Sequence, residues 1–255
     1  MSKALSYFLV FLGIQLLVPA VAGMAINLTS YSDWQQSPYF LVTCMAAGSL
    51  VSIAVFLCTG WAAASARYLQ SQPWGVLCWC VLAAMGAVIP SVALQQQMPE
   101  LPNLIEQEMI EIMQAHGGYF VVCLLAPVAE ELVFRGAILR ALLTWKPARH
   151  WSMIAVSALL FALIHMNPAQ MPHAFVIGLL LGWLYYRTDS IVPGVAFHWA
   201  NNTVAYFITI LYPDSDVRLI DILGSDRNVG AAVIFSLFIL LPALYQLWLR
   251  LPKKR

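Results

Sequence analysis

Along most of the chain, long apolar stretches alternate with short polar segments. A bilayer core of about 30 Å takes roughly 20 helical residues to cross. Eight stretches meet that length, near residues 4–26, 39–64, 75–95, 117–144, 150–166, 171–187, 190–212 and 229–249. The pattern predicts an all-α, polytopic membrane helix bundle of about eight transmembrane helices, forming a single transmembrane domain over 1–255. The segment from 98 to 116 differs. It is acidic, with Ile105, Met109, Ile110 and Met113 at helical spacing. That reads as an amphipathic helix on the outer surface, or as an extension of the fourth span. The first stretch opens with Lys3 and reaches Ala20-Val21-Ala22, the format of a secretory signal. Its apolar run continues through Ile26, so the expectation is a retained helix.

Composition strengthens the membrane reading. Hydrophobic residues make up 61% and charged residues 10%, against roughly 45–50% and about 25% in soluble domains. Such a chain cannot cover a water-soluble globule with polar surface, and it is too apolar for disorder. With 13 basic and 12 acidic residues, it lacks the basic excess that a nucleic-acid partner requires. Cys44, Cys58, Cys78, Cys80 and Cys123 all lie in apolar runs without zinc-ligand spacing and read as packing residues.

Eight spans with the N-terminus inside put Lys3, Arg67, Arg140, Lys146, Arg149, Arg187, Arg250, Lys253, Lys254 and Arg255 on one side. Only Arg218 and Arg227 fall opposite, together with Asp33, Glu100, Glu106, Glu108, Glu111, Asp214, Asp216, Asp221 and Asp226. The positive-inside rule then predicts cytoplasmic termini. The short loops suit a bacterial inner membrane.

A charge inside a span costs roughly 2.5–3.5 kcal/mol on insertion scales and commonly marks a functional site. Here such groups are few and confined to the second half of the chain. Span four carries Glu130, Glu131 and Arg135, span five His165, and span seven His198, Asn201 and Asn202. Residues four apart share a helix face, so Glu131 can pair with Arg135, while Glu130 points elsewhere and has no basic partner within a turn. Phe161 with His165, and His198 with Asn202, also share faces. Separate structural roles are the bland alternative: a buried ion pair, an interfacial histidine and interhelical polar glue. Met166, Asn167 and His173 read as boundary residues at an outer turn. Two histidines, an amide and an unpaired carboxylate on three helices favour one functional cluster.

These motifs resemble the CAAX protease and bacteriocin-processing family, also called Abi proteins, which includes the Ras-converting enzyme. Its marks are E-E-x-x-x-R, F-x-x-x-H and H-x-x-x-[ND], standing here as Glu130-Glu131-x-x-x-Arg135, Phe161-x-x-x-His165 and His198-x-x-x-Asn202. The resemblance extends over about 117–212. It implies an intramembrane endopeptidase acting on membrane-embedded or lipidated peptide or protein substrates. In that family's terms, Glu130 and His165 would activate water, His198 and Asn202 would stabilise the oxyanion, and Glu131, Arg135 and Phe161 would support them.

The chemistry agrees with that assignment. Amide hydrolysis without a covalent intermediate needs a base for water, donors for the oxyanion and an acid for the leaving amine. No G-x-S-x-G stands in the sequence and no cysteine falls in the cluster, against a nucleophilic hydrolase. Glu130, His165 and His198 are also ligand types that catalytic zinc uses. H-E-x-x-H is missing, and neither histidine shows a carboxylate to orient it, so the expectation is glutamate catalysis without a cofactor, with zinc held by those three residues as the open alternative. Two rival classes are an ion-coupled transporter, which also uses buried Glu and His, and a non-catalytic scaffold or immunity protein of the same fold. No matching inverted halves support the first, and a scaffold needs no unpaired glutamate.

Overall fold

A computed structural model of the chain describes residues 1–28, 37–65, 67–213 and 217–252. Asp33, Asp214, Asp216, Lys253, Lys254 and Arg255, which entered the charge sorting above, lie outside those residues. Among the described residues the architecture is an all-α membrane bundle. Five helices are long and apolar enough to cross a membrane: α1 (Ser2–Asn27), α2 (Pro38–Cys58), α3 (Trp74–Gln95), the run Pro147–Ile164 that contains α6 (His150–Ile164), and α9 (Asp226–Arg250). The other three expected rods carry the polar residues. They are α5, a continuous helical rod over 120–145, α7 (Met171–Thr188) and α8 (Val192–Leu211). The short amphipathic helix is α4 (Glu106–Gln114).

Three boundaries differ from the sequence expectation. The second span ends at Cys58 rather than at 64, because Gly60 turns the chain at φ +69°. From there Ala63 N–H donates to Gly136 O, 3.2 Å away. The fifth span closes with His165 as its C-cap. The amphipathic helix is not an extension of the fourth span. Ala115 is extended and Gly117 has φ +89°. At Gly118 an added Cβ would lie 1.9 Å from Ile112 O, so the chain reverses where only glycine fits. Nor does α4 simply lie on the outer surface. Its inner face, with Ile112 and Met113, is buried in a cluster with Val42 of α2 and Val121 of α5.

At the centre lies α5, where residues 131–139 are all buried. It is not a uniform α-helix. Phe120–Leu125 and Phe134–Leu139 are π-helical, on either side of the α-helical Ala126–Val133. Wider π turns disturb the regular backbone ladder and are frequent at functional sites. Here carbonyls of both π segments accept bonds from other elements: Val122 O from Asn202, Phe134 O from Ser157 and Gly136 O from Ala63.

Around α5, α1 contributes Phe11, buried edge-on to Phe134 at 5.6 Å. Helices α6 and α7 meet through small residues: a Cβ on Gly178 would come within 3.0 Å of Ala158, and one on Gly182 within 2.8 Å of Ile154 Cγ2. The glycine pair thus packs within the chain. On the far side α3 and α9 close at Gly86, where a Cβ would lie 2.7 Å from Leu240 N. Outward faces of α1 and α9 expose Leu9, Leu17, Val21, Phe235, Phe238 and Leu241, as suits helices facing lipid chains.

The connections sort into two ends. At one, Lys3 and Arg140 line a common recess, Ser190 Oγ donates to Ser65 O, and Arg187 donates to the carbonyls of Leu251 and Pro252. Both described chain ends therefore lie at one end of the bundle. At the other, Gln95 and Pro102 bond to Ala169, and Gln96 Oε1 accepts from Leu219 N–H. This alternation is what eight crossings produce.

Candidate active site

The α-helical part of α5 presents the two glutamates in different directions. Glu131 is fully buried and receives Arg135 Nη1 at 2.8 Å, the i,i+4 pair the spacing predicts. Arg135 is equally enclosed. Its Nη2 donates to Gly178 O at 3.3 Å, and its guanidinium lies 4.4 Å from the Phe161 ring centroid. Space for the Glu131 carboxylate exists because residue 194 is glycine: a Cβ there would stand 2.5 Å from Glu131 Oε2. Glu130 instead faces a cavity and keeps 21% side-chain exposure.

His198, from α8, links the two carboxylates. Its Nδ1 lies 3.3 Å from Glu131 Oε1 and its Nε2 lies 3.7 Å from Glu130 Oε2. This corrects the expectation that neither histidine has an orienting carboxylate. Glu131 is that group for His198, reaching it across a helix crossing that same-helix spacing cannot reveal. The unpaired status of Glu130 likewise holds only within its own helix.

His165 is oriented differently. Its Nδ1 is 2.8 Å from Phe161 O. A carbonyl only accepts, so this nitrogen carries a proton, and in the neutral ring Nε2 is left as an acceptor. The Phe161 ring stands edge-on to His165 at 5.1 Å and to His198 at 5.7 Å. One buried ring thus packs against both imidazoles and under Arg135. Asn202 Nδ2 donates to Val122 O at 3.1 Å, and its Oδ1 accepts from Asn201 at 3.4 Å. One amide N–H of Asn202 stays uncommitted.

Glu130, Phe161, His165, His198 and Asn202 all line one cavity of about 270 Å³, with Met45, Met109 and Met113 among its apolar walls. Glu131 and Arg135 lie behind it. A second cavity of about 230 Å³, between α1, α2 and α6, also reaches Glu130 and His165 and carries Gln15 and Ser49. Those two side chains therefore stand between two spaces.

Two residues read as boundary positions have other roles. His173 lines the main cavity, its Nδ1 2.7 Å from Ser91 Oγ of α3. Asn167 is fully buried; it accepts from Leu104 N–H and donates to Asn103 Oδ1 at 2.7 Å. It fastens the segment before α4 onto the turn between α6 and α7. Sequence spacing held no signal for either, because both partners come from outside the motif-bearing segment. Of the other boundary residue, Met166, the side chain is exposed.

As to a metal, among the described residues no three His, Cys, Asp or Glu side chains converge closely enough to hold an ion, and that includes Glu130, His165 and His198. The cysteines are all free. The arrangement offers a partly exposed carboxylate, two imidazoles oriented through Nδ1, and an amide donor, facing a half-open cavity inside a membrane bundle.

Comparison with known families points the same way. Residues 114–204 match the family described as type II CAAX prenyl endopeptidase Rce1-like. The matched stretch begins at the end of α4 and includes every motif residue named above. No curated relative and no solved structure matches the chain.

Proposed function

We propose that the chain, whose residues 114–204 match the Rce1-like CAAX protease family, hydrolyses peptide bonds of membrane-embedded or lipidated substrates with water activated by Glu130. The observation that carries this reading is the convergence of Glu130, His165, His198 and Asn202 on one cavity. Glu130 supplies the base, and the acceptor Nε2 of His165 orients the same water. Attack converts the scissile carbonyl to a tetrahedral oxyanion. The free N–H of Asn202 and a proton on His198 Nε2 meet it. Collapse breaks the C–N bond, and Glu130 returns its proton to the departing amine.

The ring of His198 sits between the two carboxylates, with Nδ1 toward Glu131 and Nε2 toward Glu130, so both of its nitrogens are placed to donate. Preorganised donors aimed at a developing oxyanion are among the largest catalytic contributions, since they need no reorganisation during reaction. No step is routed through a metal, because the candidate ligands do not gather into a metal-holding group.

Purified protein in proteoliposomes, offered a lipidated C-a-a-X peptide, is expected to release a C-terminal fragment detectable by mass spectrometry. Chelator treatment should leave the rate unchanged. Uptake of substrate along an ion gradient without cleavage would replace the protease reading with the transporter class. Zinc-dependent loss and recovery of activity would end the metal-free mechanism.

A further inference from the structure

The cavity holds a third imidazole that the hydrolytic scheme does not use. His173 stands in the first turn of α7, three residues after Gln170, and both line the same cavity as Glu130 and His198. It is braced by Ser91, on a helix outside the matched segment, at 2.7 Å from its Nδ1. This bond contrasts with those of the other two histidines. Phe161 O and Glu131 accept from Nδ1 of His165 and His198. A serine hydroxyl can donate, and when it does so to Nδ1 of His173 the ring proton stands on Nε2. His173 then offers the cavity an N–H donor.

Among the described residues no lysine or arginine lines this space; Arg135 is sealed behind Glu131. An anionic group entering it can be met only by imidazole and amide donors. A C-a-a-X sequence stands at the very C-terminus of its protein, so a free α-carboxylate follows the cysteine by three residues, about 10 Å of extended chain. We propose that His173, braced by Ser91 and assisted by Gln170, is a positioning residue that receives the C-terminal carboxylate of the substrate. The proposal rests on the protease reading and names which substrates that site selects: chains with a free carboxyl end.

The test compares a fluorescent farnesylated C-a-a-X peptide bearing a free carboxylate with its C-terminal amide. Binding is measured by anisotropy on the full-length Glu130→Gln protein in detergent, so that no turnover intervenes. The acid should bind about tenfold or more tighter than the amide, a factor in keeping with a hydrogen bond to a charged group. His173→Ala should erase that preference without weakening amide binding. His173→Gln, which keeps an N–H donor, should restore part of it, and Ser91→Ala should reduce it. In the protein with Glu130 intact, His173→Ala should raise KM for the acid substrate with little change in kcat. Equal binding of acid and amide, binding of neither, or an acid preference that survives His173→Ala overturns the proposal. A His173-dependent acid preference in a protein that cleaves nothing would sink the protease reading while leaving the carboxylate site standing. Cleavage with no acid preference would do the reverse.

Discussion

Glu131 occupies its place only because residue 194 has no side chain, and the whole cluster depends on that position. A Cβ on residue 194 would stand 2.5 Å from Glu131 Oε2, so in Gly194→Ala the carboxylate must shift, and with it the Oε1 that both Arg135 and His198 contact. The expected cost is about 1–3 kcal/mol of stability with a large loss of activity, read by thermal unfolding in detergent beside a cleavage assay. Glu131→Gln removes one partner of a buried pair, which costs roughly 3–5 kcal/mol because Arg135 is left unpaired. Folded yield should fall with activity. On the proposed mechanism His198→Ala and Asn202→Ala act at the oxyanion instead. Each is expected to lower kcat by roughly a hundred- to a thousandfold with KM little changed; a change confined to KM would assign them to binding. At this scale sequence reasoning found the catalytic candidates and the Glu131–Arg135 pair, because a charge in a span and an i,i+4 spacing are visible in one dimension. It missed the Glu131–His198 contact and the cavity-facing His173, since each depends on a partner from another helix.

Helix α4 behaves as a strap over the cavity. Met109 and Met113 line the space from above, Gly117 and Gly118 turn the chain at one end, and Asn167 fastens the other. Asn167→Ala removes the bonds to Leu104 N–H and Asn103; because both residues are exposed, the cost is the net worth of the bonds, about 0.5–1.5 kcal/mol each. Amide hydrogen exchange should quicken across 103–114 and stay unchanged in α5; uniform exchange throughout would contradict the latch. The existence of the rods was legible from apolar length. The π segments of α5 were not, because an apolar run has no periodicity that distinguishes one helical pitch from another. Their cause is tertiary: Asn202, Ser157 and Ala63 bond to their carbonyls.

For the molecule as a whole, hydrophobic length and charge sorting gave the bundle, and the structure brings both described chain ends to one end of it. Which end faces the cytoplasm follows from the positive-inside rule alone. Single-cysteine labelling in intact cells should find 27–38, 94–116 and 213–228 accessible from outside, and both termini protected. Reaction of 213–228 from the cytoplasmic side only would overturn the eight-span arrangement. The central claim is that Glu130, rather than a metal or a nucleophilic side chain, activates water in the cavity. The direct measurement is turnover of a lipidated C-a-a-X peptide by purified native protein and by Glu130→Gln, with thermal unfolding of both recorded in the same detergent. Unfolding temperatures should agree closely, and the rate for Glu130→Gln should be at least a hundredfold lower, the usual size of a general-base contribution. Near-native turnover by a folded Glu130→Gln protein would contradict the claim.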